Sequence, residues 1–252
     1  MSLPVFLADY DAVLRGQFPE LAGPGQRMRI TGPEAKHAVA VVRLKEGDEL
    51  IVANGHGQRA HARVVATGGK DSLEVEVIDR VDEPVPEVTV TVAQALPKSE
   101  RSELAVDLLT QAGADAIYAW EASRCVAKWQ GAKREKGISK WRQAAIAAAK
   151  QSRRSRVPEI TGPVSTAELA ERLAEFDHVL VLHEEAATPM REVELDGKIC
   201  VIIGPEGGLS EQEVATFQRL GARAVKLGPE VLRTASAGMV ALAAIGVRTN
   251  RW

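Results

Sequence analysis

Two strand-to-helix junctions built on glycine, separated by about twenty residues, constrain this chain more than any other feature. In the first, Val201-Ile202-Ile203 stops at Gly204-Pro205-Glu206-Gly207-Gly208-Leu209, and Ser210 stands three residues before Glu213. That spacing is a capping box, in which serine and glutamate side chains each satisfy a backbone N–H at a helix start. In the second, Val225-Lys226-Leu227 meets Gly228-Pro229-Glu230 before Val231-Leu232-Arg233-Thr234 leads into another helix. Two adjacent strand ends of this kind make a crevice at the carboxyl edge of a parallel sheet. Glycine there lets backbone groups approach a ligand with no Cβ in the way. The same spacing also fits two ordinary βα turns, and spacing alone leaves both readings open.

The rest of the chain divides in two. Residues 1–83 are β-rich. Asp48–Val52 and His61–Val65 flank the turn Asn54-Gly55-His56-Gly57, and Leu73, Val75 and Val77 alternate with Glu74 and Glu76 as in a half-buried strand. A short helix between Pro33 and Arg43, with Ala35, Val39 and Val42 inward, completes the expectation of a small barrel. Glu83-Pro84-Val85-Pro86-Glu87 reads as a linker. Over 88–252 strands are expected at 88–93, 117–120, 179–182, 199–203 and 224–227. Helices are expected at 102–112, with Leu104, Leu108 and Ala112 on one stripe and Ala105 and Leu109 beside it, and at 139–154. Such alternation is the pattern of an α/β domain around a parallel sheet.

Charge is unevenly spread. The chain carries a formal net charge of −2, yet 124–156 holds eleven Lys or Arg against one acid, Glu135. From 157 to 226 there are thirteen acids against six bases. The basic middle is an electrostatic footprint for phosphates, or a solvated helix face. Arg124, Lys128, Arg153, Arg154 and Arg156 are its candidate phosphate contacts, and Trp129 and Trp141 either stack on bases or belong to the core.

Several chemistries find no support. There is no P-loop and no G-x-G-x-x-G after a strand. His37, His56, His61, His178 and His183 show no metal-ligand spacing, and Cys125 and Cys200 form no zinc pattern. No metal is expected. The start of the chain lacks the basic and apolar regions of a secretory signal, and Ala235–Val247 is too short for a membrane span. A cytoplasmic protein without a disulfide is expected.

Several blocks, in order, resemble the ribosomal RNA small subunit methyltransferase E family of the SPOUT class. They are His37-x-x-x-Val41-Val42-Arg43-Leu44-x-x-Gly47-Asp48, Ala95-Leu96-Pro97-Lys98, Gln151-Ser152-x-Arg154-x-x-Val157-Pro158, His183-Glu184, and both glycine junctions. The resemblance runs the length of the chain. It implies an N-terminal PUA-like β-barrel that binds RNA (1–83) and a C-terminal SPOUT-type knotted α/β domain with a parallel sheet (88–252). It also implies a homodimer and transfer of a methyl group from S-adenosylmethionine to ring nitrogen 3 of a uridine in 16S rRNA of the small ribosomal subunit. The alternative is a non-catalytic RNA-binding assembly factor that keeps the fold.

Under that resemblance Leu182, His183, Gly204, Glu206, Gly207, Gly208, Leu227, Gly228, Val231, Leu232, Arg233 and Thr234 are expected around the cofactor. Arg233 orients the uracil or a phosphate, and Glu206 orders the loop or lies near the methyl transfer. Arg43, Lys98 and Arg101 join the five basic residues above as RNA contacts. Where the family usually reads Arg-Thr-Glu-Thr-Ala, this chain reads Arg233-Thr234-Ala235-Ser236-Ala237, so no role for that glutamate carries over.

Overall fold

The computed structural model describes residues 3–69 and 71–252. It separates into two compact units, one running to Val85 and taking in Ala149–Val157, the other made of Pro86–Ala148 and Pro158–Trp252.

The first unit is a five-stranded sheet in the order β1-β3-β4-β5-β2, with β1 Val5–Leu7, β2 Arg27–Thr31, β3 Glu49–Ala53, β4 Gln58–Gly68 and β5 Ser72–Asp82. Helices α1 (Tyr10–Leu14) and α2 (Gly32–Lys36) accompany it. Alternation builds the core: Leu50 and Val52, Ala60, Ala62 and Val64, and Leu73, Val75 and Val77 all turn inward to meet Phe6 and Ile30. The β3–β4 turn forms as expected. Gly55 takes φ +80, and the Asn54 side-chain oxygen accepts the N–H groups of His56 and Gln58.

The short helix differs from expectation. After α2 the chain passes into a π-helical segment, His37–Val42, that ends at Arg43 with φ +64. The wider π turn rotates the later positions. Ala35 and Ala38 are buried as a result, and Val42 is exposed rather than inward. Glu34 is buried too. Its carboxylate accepts the Leu7 N–H (2.7 Å) and pairs with Lys150 (2.5 Å) from the 149–157 segment of the same unit.

The second unit is a seven-stranded sheet in the order β10-β12-β9-β11-β6-β7-β8. Its strands are β6 Thr89–Ala95, β7 Ala116–Trp120, β8 Glu159–Val164, β9 His178–Leu182, β10 Thr188–Pro189, β11 Lys198–Ile203 and β12 Arg223–Lys226. Every pairing is parallel. Helices α3 (Ser99–Gln111), α4 (Ala132–Gln151), α5 (Thr166–Arg172) and α6 (Glu211–Arg219) lie between them, and α7 (Thr234–Gly246) follows the last strand. The central strands read as near-continuous apolar runs because helices cover both faces. From β6 the chain runs outward to β7 and β8 on one side, then crosses to the other, where β11, β9, β12 and β10 lie in that order from β6. This reversal is where parallel sheets open a crevice.

Two helices correct the sequence reading. On α3 Ala105 and Leu109 are buried, as is Ala112 at its C-cap, in keeping with the expected apolar side, but Leu104 is exposed. Helix α4 ends at Gln151, not Arg154. Arg153 takes φ +60 and the Arg154 N–H reaches back to the Ala149 carbonyl (2.8 Å), which closes the helix end. Cys125 and Cys200 are buried and unbonded to each other, and burial pushes the Cys200 thiol up to about 12.

Candidate active site

The carboxyl ends of β9, β11 and β12 open into one cleft of about 430 Å³. Its size falls within the range typical of small-molecule sites. It gathers eleven of the twelve residues expected around a cofactor: Leu182 and His183 after β9, Gly204, Glu206 and Gly208 after β11, and Leu227, Gly228, Val231, Leu232, Arg233 and Thr234 after β12. These lie up to 52 positions apart in sequence, and the sheet order brings them together because β9 sits between β11 and β12.

The first glycine loop is tightly made. Gly208 holds φ +72, and a Cβ at Gly204 would stand 3.0 Å from the Leu209 side chain. Gly208 therefore needs glycine, and a side chain at 204 would have to push Leu209 aside by a few tenths of an ångström. Ser210 and Glu213 form the expected capping box. Glu213 does more than cap: its carboxylate also accepts the Ser123 N–H (2.8 Å) and hydroxyl (2.9 Å) and the Thr166 hydroxyl (3.2 Å). Burial drives this carboxyl upward, but the N–H donors of Ser123 and Ser210 outweigh it and hold the group below the usual carboxylate range.

Glu206 orders the loop through its side chain. Its Oε1 accepts the Lys98 backbone N–H (3.1 Å), which ties the turn after β11 to the start of α3. His183 is held at its strand end: its N–H donates to the Val225 carbonyl (3.0 Å) and its Nδ1 accepts the Glu185 N–H (3.2 Å). Arg233 precedes α7, and its carbonyl accepts the N–H groups of Ser236 and Ala237 and the Ser236 hydroxyl. Its guanidinium has no partner among the described residues and is free for a ligand. Ala235, at the position of the family's usual glutamate, is buried against the cleft.

Gly207 is the exception. It lies outside the cleft wall, and a Cβ there would meet Arg124 instead. Arg124 itself is not a free phosphate contact. Its Nη1 donates to the carbonyls of Gly207 and Leu209. Arg156 is likewise committed to its own unit, with donors on the carbonyls of His56 (2.9 Å) and Glu83 (2.6 Å). Lys128 reaches the Ala122 carbonyl (3.3 Å). Trp141 is fully buried and so belongs to the core, while Trp129, half-buried, packs edge-on against it at 5.2 Å. Lys98 and Arg101 stand at the cleft in the second unit, whereas Arg43, Arg153 and Arg154 belong to the first. Among the lining residues the sequence reading did not place around the cofactor are Leu209 and Ala237, which read as ordinary core positions, and the charged Glu184, Lys226 and Glu230.

The cleft mixes signs. Glu184, Glu206 and Glu230 face Lys98, Arg101, Lys226 and Arg233 across apolar walls of Leu182, Leu227 and Leu232. That donor set suits a ligand with both cationic and anionic groups and an apolar ring. Among the described residues no group of three or more His, Cys, Asp or Glu is placed to hold a metal ion. Among them, too, no helix is long and apolar enough to cross a membrane.

Comparison with known proteins agrees with this geometry. The family model for an RNA methyltransferase domain matches residues 84–246, and that for an RNA methyltransferase PUA domain matches 30–78. The chain is similar to the ribosomal RNA small subunit methyltransferase E of Mycobacterium bovis, with 46% identity covering 88% of this chain and 87% of the other. It is similar to the protein of that name from Bacillus subtilis at 32% identity, covering 88% and 90%. Its fold matches that of a Legionella pneumophila methyltransferase in complex with the cofactor SAM, with a TM-score of 0.86 and 25% identity over 98% of each chain.

Proposed function

Because the chain belongs to the ribosomal RNA small subunit methyltransferase E family, we propose that it moves a methyl group from S-adenosylmethionine to ring nitrogen 3 of a uridine in 16S rRNA. One observation carries the reading: eleven residues from three separate loops converge on one cleft at the switch point of a parallel sheet. The cleft fits the cofactor. Leu182, Leu227 and Leu232 offer apolar surface for the adenine. The glycines at 204 and 208 line the cleft without side chains and leave their backbone accessible there. The acidic residues at the rim suit its ammonium and sulfonium groups.

Bound there, S-adenosylmethionine supplies a methyl group already activated by the sulfonium. What the protein must add is alignment and charge control. Glu206 and the capping box fix the loop that faces the ligand. Arg233 presents a fork of donors to the uracil, where N3 loses its proton and negative charge develops on the flanking oxygens. A guanidinium there stabilises that charge. Lys98 and Arg101 receive the nucleotide's phosphates at the mouth, and Arg43, Arg153 and Arg154 contact RNA from the barrel unit. The target base is splayed out of its RNA context to enter the cleft. The substrate places the protein in the cytoplasm. It works as a homodimer through α7 and its C-cap, where Met239, Val240 and Val247 are exposed and a two-fold interface is the usual solution.

The test is transfer of label from methyl-tritiated S-adenosylmethionine to 16S rRNA, offered naked and in small subunits, with wild type and Arg233→Ala. Transfer by the wild type, with a fall of about 10²–10³ in the variant as for loss of a charge-stabilising donor, supports the reading. Binding of RNA with no transfer under either condition would leave the assembly-factor alternative.

A further inference from the structure

The glycine loop at 204–209 is anchored from its outer side by a residue that lines none of the cleft. Arg124 lies four residues beyond the end of β7. Its Nη1 donates to the carbonyl oxygens of Gly207 (3.3 Å) and Leu209 (3.1 Å). The two segments touch along the side chain as well: a Cβ on Gly207 would stand 3.3 Å from the Arg124 Cβ. The arginine's own backbone is fixed. Ser123 gives its N–H and hydroxyl to Glu213, and the Cys125 N–H donates to the Ala122 carbonyl (3.1 Å). Glu213 belongs to α6, the helix that leaves the loop, so the arm and the loop are referenced to the same element.

A loop with three glycines in six residues has more backbone freedom to lose than its neighbours. A ligand that requires one loop shape binds more weakly by the fraction of time the loop spends elsewhere. Glu206 holds the cleft side to Lys98, while Arg124 holds the carbonyls on the opposite side.

We propose that Arg124 is a positioning residue for the cofactor. It keeps the 204–209 loop in its ligand-receiving shape and thereby links the basic segment to the cofactor site. The proposal rests on the reading of the cleft as an S-adenosylmethionine site. It runs against the expectation from charge alone, which makes Arg124 a phosphate contact.

The experiment uses the full chain as wild type, Arg124→Ala, Arg124→Lys and Gly207→Ala. Each is titrated with S-adenosylmethionine by calorimetry and with 16S rRNA across a salt series. Arg124→Ala is expected to lose about tenfold in cofactor affinity, the scale of a hydrogen bond from a charged donor, with its RNA salt slope unchanged. Its KM for S-adenosylmethionine rises while its KM for RNA holds. Arg124→Lys recovers part of the loss, since an ammonium reaches one carbonyl where the fork served two. Gly207→Ala presses on Arg124 without entering the cleft and lowers cofactor affinity in the same direction. Unchanged cofactor affinity in Arg124→Ala, with a salt slope flatter by about 0.7–0.9, would overturn the proposal and restore the phosphate contact. Joint loss of both ligands with early thermal unfolding and no rescue by lysine would overturn it as well, since Arg124 is then only structural. A wild-type protein that takes up no S-adenosylmethionine would sink the functional reading itself and the proposal with it.

Discussion

Replacing Glu213 by Gln tests how much of the site is held by one buried carboxylate. Glu213 is 4% exposed. Its Oε1 accepts the Ser123 N–H and the Thr166 hydroxyl, and its Oε2 accepts the Ser210 N–H (3.0 Å) and the hydroxyls of Ser123 and Ser210. Hydroxyls can turn to meet an amide, but the two backbone N–H groups cannot. Whichever way the Gln amide sits, its NH2 confronts one of them and leaves that part-buried donor without its acceptor. The cost is about 1–3 kcal/mol for the orphaned group, and the bonds that remain lose their charge assistance. A total of about 2–4 kcal/mol is expected. At roughly 2–4 °C per kcal/mol for a unit of this size, the second unit's transition should fall by on the order of 10 °C. The assay is urea and thermal unfolding of Glu213→Gln beside wild type at several pH values. Because the folded-state pKa is depressed, this stabilisation is complete above the unfolded value of about 4.3 and is lost as pH falls through the folded one. The gap between variant and wild type should therefore close in acid. A Gln variant within about 0.5 kcal/mol of wild type at pH 7, or a gap that widens in acid, would refute the argument.

Other perturbations follow from single contacts. Gly208→Val places a β-branched residue at φ +72 on the cleft wall, at a strain of about 1–3 kcal/mol; calorimetry should detect no S-adenosylmethionine binding, and wild-type affinity would place the ligand elsewhere. Lys150→Met leaves Glu34, 3% exposed, without its cation and should destabilise the first unit by about 3–5 kcal/mol. Adding Glu34→Gln should restore most of that, since an amide oxygen still accepts the Leu7 N–H; equal stability of the single and double variants in urea would count against the ion pair. Light scattering should give twice the chain mass of 27.1 kDa at working concentration, and a monomer mass would remove the dimer.

The cleft was legible because its residues sit beside glycines whose spacing carries a local mechanism. Strand end, Gly-Pro bend and capping box are all short-range, and the observed Ser210–Glu213 box follows from them. What was hidden depends on partners distant in sequence. Arg124 looked like a phosphate contact because charge is visible in a sequence and the Gly207 and Leu209 carbonyls are not. Gly207 looked like cleft wall because a glycine run does not say which way each missing Cβ would point. Sequence left Trp141 open between base stacking and core, and its burial on α4 decides for core. Strand β8 escaped notice because Thr161, Gly162 and Pro163 break its apolar run. Val42 was misplaced because a π-helical turn has no simple hydrophobic period. Nor does a knot leave a signature in strand patterns, since it is a property of the chain's path.

The central claim is methylation of a uridine at N3, and one measurement addresses it directly. Unmodified 16S rRNA is incubated with purified protein and S-adenosylmethionine, then read by reverse transcription and by mass mapping of nuclease fragments. A methyl group on N3 blocks the Watson–Crick edge. The account predicts a protein-dependent stop at a single uridine together with one added methyl mass on the fragment that contains it. A methyl mass with no stop would put the group on another atom, and neither signal, from protein shown to bind both cofactor and RNA, would contradict the account.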